Sequence, residues 1–124
     1  MIYGIGVDIV KIERIRKAVE RQSQKFLARV FTENEIDFCY KRSDPYQAFA
    51  ARFAAKEALL KSVGKGILNP LLDIDIRNLD TGKPYIHLSG KLERFFMENK
   101  LHPIHLSLSH EKEYAVALVV VEKN

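Results

Sequence analysis

The chain has 124 residues, of which 47% are hydrophobic and 29% are charged, and its formal net charge is +4 at pH 7. This balance predicts one soluble globular domain over residues 1–124 and excludes a disordered chain. The single Cys39 excludes an internal disulfide, and no apolar run reaches the ~18 residues of a membrane-spanning helix. MIYGIGVDIV has no basic leader and contains Asp8, so it does not resemble a signal peptide, and we expect a cytoplasmic protein.

The excess positive charge lies in the first quarter of the chain. Residues 1–30 carry seven basic and three acidic side chains, whereas the remaining residues carry 13 of each sign. Such an asymmetry predicts an acidic partner. A small basic nucleic-acid-binding protein is therefore one hypothesis. Against it, the aromatic residues lie at core spacing and do not alternate with the basic residues.

The start of the chain predicts a strand followed by a helix. Residues 2–8 are rich in β-branched side chains and glycine, which favours a short strand. From about Ile9 the hydrophobic period becomes helical, with an apolar stripe and a basic stripe. The apolar residues are Ile12, Ile15 and Val19, and the basic residues are Arg14, Lys17, Arg21 and Lys25.

Two further helices have recognisable ends. TENE, at 32–35, has the spacing of a capping box and predicts a helix that continues to about Tyr40. In the SDP segment that follows, Asp44 suits an N-cap and Pro45 suits the first helical position. We therefore expect a long central helix that Gly64 ends.

The period changes to two after GKGILNP, which indicates a hairpin. DTGKP, at 80–84, predicts its turn, and YIHLS predicts the return strand. The first strand, LLDIDIRNL, has Leu72, Ile74 and Ile76 on one face and Asp73, Asp75 and Arg77 on the other.

A helix and two strands complete an α+β fold. YAVALVVVE predicts the last strand, and since it is apolar on both faces, its second face would be covered by another subunit. The whole pattern predicts a single domain in which a small antiparallel sheet packs with helices, one of them long and central. IHLSLS predicts the strand before YAVALVVVE, and GKLERFFMENKL predicts an amphipathic helix with Leu92, Phe95, Phe96 and Met97 inward.

Glu57 is the unusual residue of the central helix, because it falls within the apolar arc while Arg52 and Lys56 fall on the side where water is expected. A carboxylate on a buried face needs compensation. An ion pair with Lys61, four residues on, would supply it. A cation shared with Asp8 would supply it too, although Asp8 could instead cap a helix. The arc consists of Tyr46, Phe49, Ala50, Phe53, Ala54, Ala58 and Leu60.

Two carboxylates with few other protein ligands suit Mg²⁺, which keeps waters and takes further oxygens from a phosphate. Lys61 lies one turn beyond Glu57, where it could meet that phosphate. GKG, from Gly64 to Gly66, allows close approach to an anion, or simply ends the helix. His110 ends the predicted strand HLSLSH, where side chains often line a cleft. A zinc site is disfavoured, because the spacing of its usual ligands is missing.

Four segments together resemble one family. GIGVDIVKIERI, RFAAKEALLKSVG, GKP and LSLSHEKEYAVALVVVE are similar to segments of the holo-(acyl-carrier-protein) synthases, the bacterial group of 4′-phosphopantetheinyl transferases. The resemblance covers the chain from end to end and in order, and GVDIV and FAAKEA at this spacing are specific.

The resemblance implies an Mg²⁺-dependent enzyme of fatty acid biosynthesis with the 4′-phosphopantetheinyl transferase fold. Such enzymes move the 4′-phosphopantetheine arm of coenzyme A onto a serine of an acyl carrier protein and release adenosine 3′,5′-bisphosphate. They are typically homotrimers with coenzyme A between adjacent subunits. A carrier-protein-binding module without activity is a second alternative, which predicts binding without release of the bisphosphate.

The resemblance also implies roles for individual residues. Asp8 and Glu57 would be the Mg²⁺ ligands and Lys61 would contact the phosphates, whereas Glu57 or a water would take the serine proton. Thr81 and Glu111 depart from the family pattern, which often has Asn before GKP and Thr or Ser after the motif histidine. The nucleotide site would be lined by Arg52, Gly64, Gly82, Pro84 and His110, and the carrier protein would be docked by Arg14, Lys17 and Arg21.

Overall fold

The structure is a computed structural model that describes residues 1–22, 24–64 and 70–124. Within these residues, no helix has both the length and the apolar character needed to cross a membrane. In chain order the elements are β1 (Ile2–Lys11), α1 (Ile12–Gln22), α2 (Gln24–Val30), α3 (Glu33–Tyr40), α4 (Pro45–Val63), a short 3₁₀ helix (Leu71–Asp73), β2 (Ile74–Asn78), β3 (Pro84–Leu88), α5 (Gly90–Glu98), β4 (Leu101–His110) and β5 (Tyr114–Lys123).

A three-stranded sheet and the long helix α4 form the centre of the fold. The sheet is antiparallel with the strand order β1-β5-β4, and α4 packs across β1 and β5. The strands β2 and β3 form the hairpin predicted around the DTGKP turn. α1 and α3 also pack against α4, so this helix has neighbours on several sides. The predicted α+β class with one long central helix is confirmed.

The predicted helix caps are present. Thr32 and Glu35 form a reciprocal capping box at the start of α3, with Thr32 N donating to Glu35 Oε1 at 2.8 Å. At the start of α4, Asp44 Oδ1 accepts a hydrogen bond from Gln47 N at 3.3 Å. The helix ends at Gly64, whose φ of 66° lies in the left-handed region that glycine adopts without strain.

β1 is longer than predicted, and this changes the setting of Asp8. The strand continues to Lys11, so α1 begins at Ile12 rather than near Ile9. Asp8 lies within the strand, opposite Ala117 of β5, so the prediction of a strand end or N-cap at Asp8 is wrong. The β-branched Ile9 and the residue after it extend the alternation of the strand, and pairing with β5 satisfies their backbone groups.

The predicted basic helix is described as α1 (Ile12–Gln22) and α2 (Gln24–Val30), and position 23 lies outside the described residues. The apolar stripe of α1 is confirmed, because Ile12, Ile15 and Val19 are buried. Arg14, Lys17 and Arg21 are exposed on the same helix.

The expectation that Arg52 and Lys56 face water is wrong. Their exposed fractions are only 4% and 0%. Lys56 Nζ lies 2.7 Å from Glu35 Oε1, and this ion pair is fully buried. A helical wheel with one apolar arc assumes one solvent face, whereas α4 is covered by elements on several sides.

The second half of the chain departs from its predictions at three positions. Leu72 lies in the 3₁₀ helix and is exposed, so it does not share a strand face with the buried Ile74 and Ile76. Asp75 is buried, and hydrogen bonds from neighbouring side chains to its carboxylate compensate the burial. Met97 is exposed rather than inward, beyond the buried side of α5.

One face of the sheet is covered and the other is open. On β5 the residues Ala115, Ala117, Val119 and Val121 are buried on the side of α4. The opposite face exposes apolar side chains: 59% of Ile5, 55% of Val7, 62% of Ile9 and 42% of Leu118. The second cover that the sequence predicted for β5 is therefore not supplied by the described part of this chain.

Candidate active site

The candidate site forms where β1 and α4 touch. Gly4, Gly6 and Asp8 alternate along the inward face of β1. A Cβ atom on Gly6 would lie 1.8 Å from Ala58 O, and one on Gly4 would lie 1.8 Å from Ser62 O. The two glycines thus let the helix backbone lie directly on the strand. Asp8, the next inward residue, then meets α4 with its carboxylate.

Asp8 is paired with a lysine of α4. Lys61 Nζ donates to Asp8 Oδ1 at 2.8 Å and to Val7 O at 3.2 Å. The hydrogen bond from Lys61 and the charge of Asp8 raise the pKa of the Lys61 ammonium. The sequence left open whether Lys61 pairs with Glu57. In the structure the ion pair of Lys61 is with Asp8.

Glu57 is the carboxylate that lacks compensation. Burial raises the pKa of Glu57, the charge of Asp8 raises it further, and Lys61 offsets only part of this. Among the described residues, no hydrogen bond or ion pair to Glu57 is present. A half-buried, partnerless carboxylate beside a second one is a place where a cation is stabilising.

Asp8 and Glu57 line one cavity of about 370 Å³, between β1, α1 and α4. Their oxygens fit Mg²⁺, a hard cation that takes one or two carboxylates and fills its other positions with waters and phosphate oxygens. Within the described residues, no cluster of three or more His, Cys, Asp or Glu could hold a metal by itself. The cavity is also lined by Ile9, Val10, Arg14, Ile15, Ala18, Phe26 and Phe53.

A second cavity, of about 300 Å³, gathers Arg52, Gly82, Pro84 and His110. The Arg52 guanidinium donates to Asn78 Oδ1 at 2.6 Å and lies 3.9 Å from the centre of the Phe38 ring. Burial lowers the pKa of Arg52, and its buried Nε has no hydrogen-bond partner within the part of the chain that the structure describes. A buried cation with an unused donor is suited to an anionic or hydrogen-bonding ligand.

The predicted site residues therefore fall into two groups. Asp8, Glu57 and Lys61 gather at the C-terminal half of α4, and Gly64 caps that end of the helix. Gly64 does not line the cavity that contains Arg52, and its predicted place at the nucleotide site stays a prediction. The rest of the GKG segment, at 65–66, lies outside the described residues.

Some residues of these cavities had no signal in the sequence. Asn78 and Arg42 line the Arg52 cavity, and Phe26 and Phe53 form the apolar wall beside Glu57. Asn78 Nδ2 donates to Gly82 O at 2.9 Å across the hairpin turn, so only the hairpin register brings it to Arg52. Cys39 is inert, since burial raises the pKa of its thiol to about 12.

Comparison with known proteins identifies the family. A sequence-family model described as the 4′-phosphopantetheinyl transferase superfamily matches residues 4–119. The chain belongs to the 4′-phosphopantetheinyl transferase superfamily. It is 42% identical over 124 residues to a holo-[acyl-carrier-protein] synthase of Halothermothrix orenii, with 99% of each chain covered. The family expected from the sequence motifs is confirmed, and this member is an enzyme, a phosphopantetheinyl transferase.

Solved structures of the superfamily share the whole fold. A holo-[acyl-carrier-protein] synthase of Neisseria meningitidis is 37% identical, with a TM-score of 0.92 and coverage of 99% of this chain and 100% of that one. A holo-(acyl-carrier-protein) synthase of Bacillus anthracis is 41% identical, with a TM-score of 0.82 and coverage of 100% and 99%. The latter was solved in complex with coenzyme A (3′,5′-ADP).

Proposed function

We propose that the protein transfers the 4′-phosphopantetheine group from coenzyme A to a serine of an apo acyl carrier protein. The reaction requires Mg²⁺, releases adenosine 3′,5′-bisphosphate and serves fatty acid biosynthesis in the cytoplasm. The observation that supports it most directly is Glu57, which has no hydrogen-bond or ion-pair partner among the described residues, beside Asp8, to which Lys61 is hydrogen-bonded. This arrangement suits a metal-bound diphosphate whose charge changes as a bond breaks.

Asp8 and Glu57 would hold Mg²⁺ through their carboxylates, and the ion would neutralise the phosphate charge that develops during transfer. Glu57 would have a second role as the proton acceptor, because its carboxylate has no hydrogen-bond donor among the described residues and can accept the proton of the carrier serine. The nucleophile is the serine oxygen of the carrier protein, so the enzyme needs no nucleophile of its own.

The reaction is a phosphoryl transfer in which one bond replaces another. The serine oxygen forms a bond to the phosphorus that carries pantetheine, and the bond from that phosphorus to the bridging oxygen of the diphosphate breaks. The departing oxygen stays with adenosine 3′,5′-bisphosphate. Lys61, an exposed ammonium with a raised pKa, stays charged and stabilises the departing phosphate.

The Arg52 cavity would take the nucleotide part of coenzyme A. Arg52 and His110 supply donors, and Gly82 and Pro84 shape the wall at the hairpin turn. Glu111, which departs from the family pattern, follows His110 directly in the sequence, and its carboxylate accepts a hydrogen bond from Glu113 N at 3.1 Å. The exposed Arg14, Lys17 and Arg21 of α1 would dock the acidic carrier protein, and Arg14 also lines the Glu57 cavity.

A homotrimer would complete the site. The neighbours of Asp8 along β1, Val7 and Ile9, belong to the open apolar face of the sheet. A second copy that covered this face would lie directly beside the Asp8 cluster. One coenzyme A could then reach the Glu57 cavity of one subunit and the Arg52 cavity of another.

The first test is the intact mass of an apo acyl carrier protein incubated with this protein, coenzyme A and Mg²⁺, with EDTA as the control. A gain of one phosphopantetheine that EDTA abolishes is expected. Binding without a mass gain would instead favour a docking module. Steeply salt-dependent binding to DNA or RNA without Mg²⁺-dependent transfer would favour the nucleic-acid hypothesis.

A further inference from the structure

The long helix α4 carries Glu57, and many of its buried side chains are small. Its buried positions include Ala50, Ala51, Ala54, Ala55 and Ala58. Methyl groups form shallow ridges, so they allow close approach but resist rotation and sliding of a helix less than larger side chains do. The fully buried Phe49 and Leu59 and the backbone contact with β1 also hold α4, and any further constraint on its rotation adds to these.

The buried Lys56 supplies such a constraint. Its ammonium donates at 2.6 Å to Val30 O, at the end of α2, and at 2.9 Å to Leu71 O, in the 3₁₀ helix. Its third partner is Glu35 Oε1 of α3, at 2.7 Å. The three donors of the ammonium are thus used on three elements, none of which is part of the sheet.

Glu35 is itself fixed from two sides. Its Oε1 accepts from Thr32 N, and its Oε2 accepts from Ile76 N of β2 at 2.8 Å. Thr32 Oγ1 in turn donates to Asp75 Oδ1 of β2 at 2.7 Å. Lys56 is therefore tied to a rigid anchor made of α3 and β2.

We propose that the Lys56–Glu35 pair is a positioning device that sets the rotation of α4 and so brings the Glu57 carboxylate opposite Asp8. Lys56 and Glu57 are adjacent, so their side chains leave the helix about 100° apart. Fixing the first on the α3 side directs the second towards β1. Buried ion pairs are best known for specifying register in this way. The proposal rests on the proposed function, in which Asp8 and Glu57 hold the metal.

The test replaces the pair by apolar side chains of similar size, in the double variant Lys56→Met/Glu35→Leu. The double variant leaves no buried charge alone, which commonly keeps a protein folded. It also removes the hydrogen-bond partners of Thr32 N, Ile76 N, Val30 O and Leu71 O, so we expect a folded protein with a lower melting temperature than the wild type. Mn²⁺ affinity in the presence of coenzyme A, followed by electron paramagnetic resonance, should weaken by about tenfold or more, as for other residues that orient ligands. In the transfer assay kcat should fall, while KM for the carrier protein stays within about twofold because α1 is untouched.

Two further variants separate positioning from general instability. Phe96→Leu removes buried volume from α5 and should lower the melting temperature without changing Mn²⁺ affinity. Lys56→Met/Glu35→Gln also leaves no buried charge alone and keeps one acceptor oxygen at position 35, so it serves if the first double variant does not fold. Wild-type Mn²⁺ affinity in the folded variants would overturn the proposal. If the wild type transferred no phosphopantetheine, the proposed function would fail instead, whatever the Mn²⁺ result.

Discussion

At the scale of single residues, the helical wheel predicts the surroundings of Glu57 better than those of Arg52 and Lys56. The wheel showed a carboxylate on an apolar arc, and the cavity beside Asp8 explains why such a residue is there. The same wheel placed Arg52 and Lys56 in water, whereas both are buried. Charge alone does not tell whether a lysine is solvated or paired, because its partner, Glu35, is distant in the sequence.

Replacement of Glu57 by glutamine tests its chemical role with little change in shape. We expect Glu57→Gln to lose transfer activity by about 10²–10⁴-fold, since it removes both a metal ligand and the proton acceptor. The free energy of unfolding should be equal to or above that of the wild type, because burial and Asp8 disfavour the charge of Glu57. Mass spectrometry of the carrier protein and thermal unfolding measure the two effects. Glu93→Gln, an exposed carboxylate of α5, is the matched control, and near-wild-type turnover of Glu57→Gln would remove Glu57 from the reaction.

At the scale of elements, local signals predicted most helix ends correctly. The capping box at Thr32 and the glycine after α4 are properties of a few adjacent residues, and both are present. The sequence places the end of β1 too early, because the helical period of α1 can be extended back to Ile9; the β-branched Ile9 and Val10 suit either element, and pairing with β5 decides it. The buried position of Asp75 likewise depends on a partner from α3.

Asp75 links β2 to α3, and its charge should make stability depend on pH. Burial alone would raise the pKa of Asp75, but hydrogen bonds from Thr32, Arg77 and Asn34 outweigh this and lower it. A carboxyl whose pKa is lower in the folded state stabilises that state above the ordinary pKa of about 3.9 and loses this contribution as pH falls further. Asp75→Asn should therefore cost about 1 kcal/mol at pH 7, and the difference from the wild type should shrink below pH ~4.

Urea unfolding of both proteins at several pH values between about 2.5 and 7 would measure this difference, and effects of other carboxyl groups cancel in the comparison. The variant Asp37→Asn, at an exposed position of α3, is the control. A stability difference that stayed constant across this range would contradict a lowered pKa at Asp75.

At the scale of the whole molecule, the sequence predicted an uncovered apolar strand face but not its extent. β5 was read as apolar on both faces, and the structure adds Ile5, Val7 and Ile9 of β1 to the same open face. Ile5 and Val7 lie within the predicted strand, but nothing local to residues 2–8 indicates that they pair with β5, and Ile9 lies beyond the predicted strand end. Since Asp8 alternates with these residues along β1, its side chain lies on the side of the strand opposite to the open apolar face.

Leu118 lies at the centre of this face, opposite Val7 on one side and Ser107 on the other. An aspartate there would bury a charge in any interface that covers the sheet, at a cost of several kcal/mol. We expect Leu118→Asp to convert an oligomer into a folded monomer in light scattering, and to abolish transfer, because coenzyme A would lose one of its two cavities. Met97→Asp, at an exposed apolar residue of α5, should leave mass and activity unchanged. A wild-type monomer with full activity would mean that one chain suffices, and the two cavities would then have to serve one coenzyme A within a single subunit.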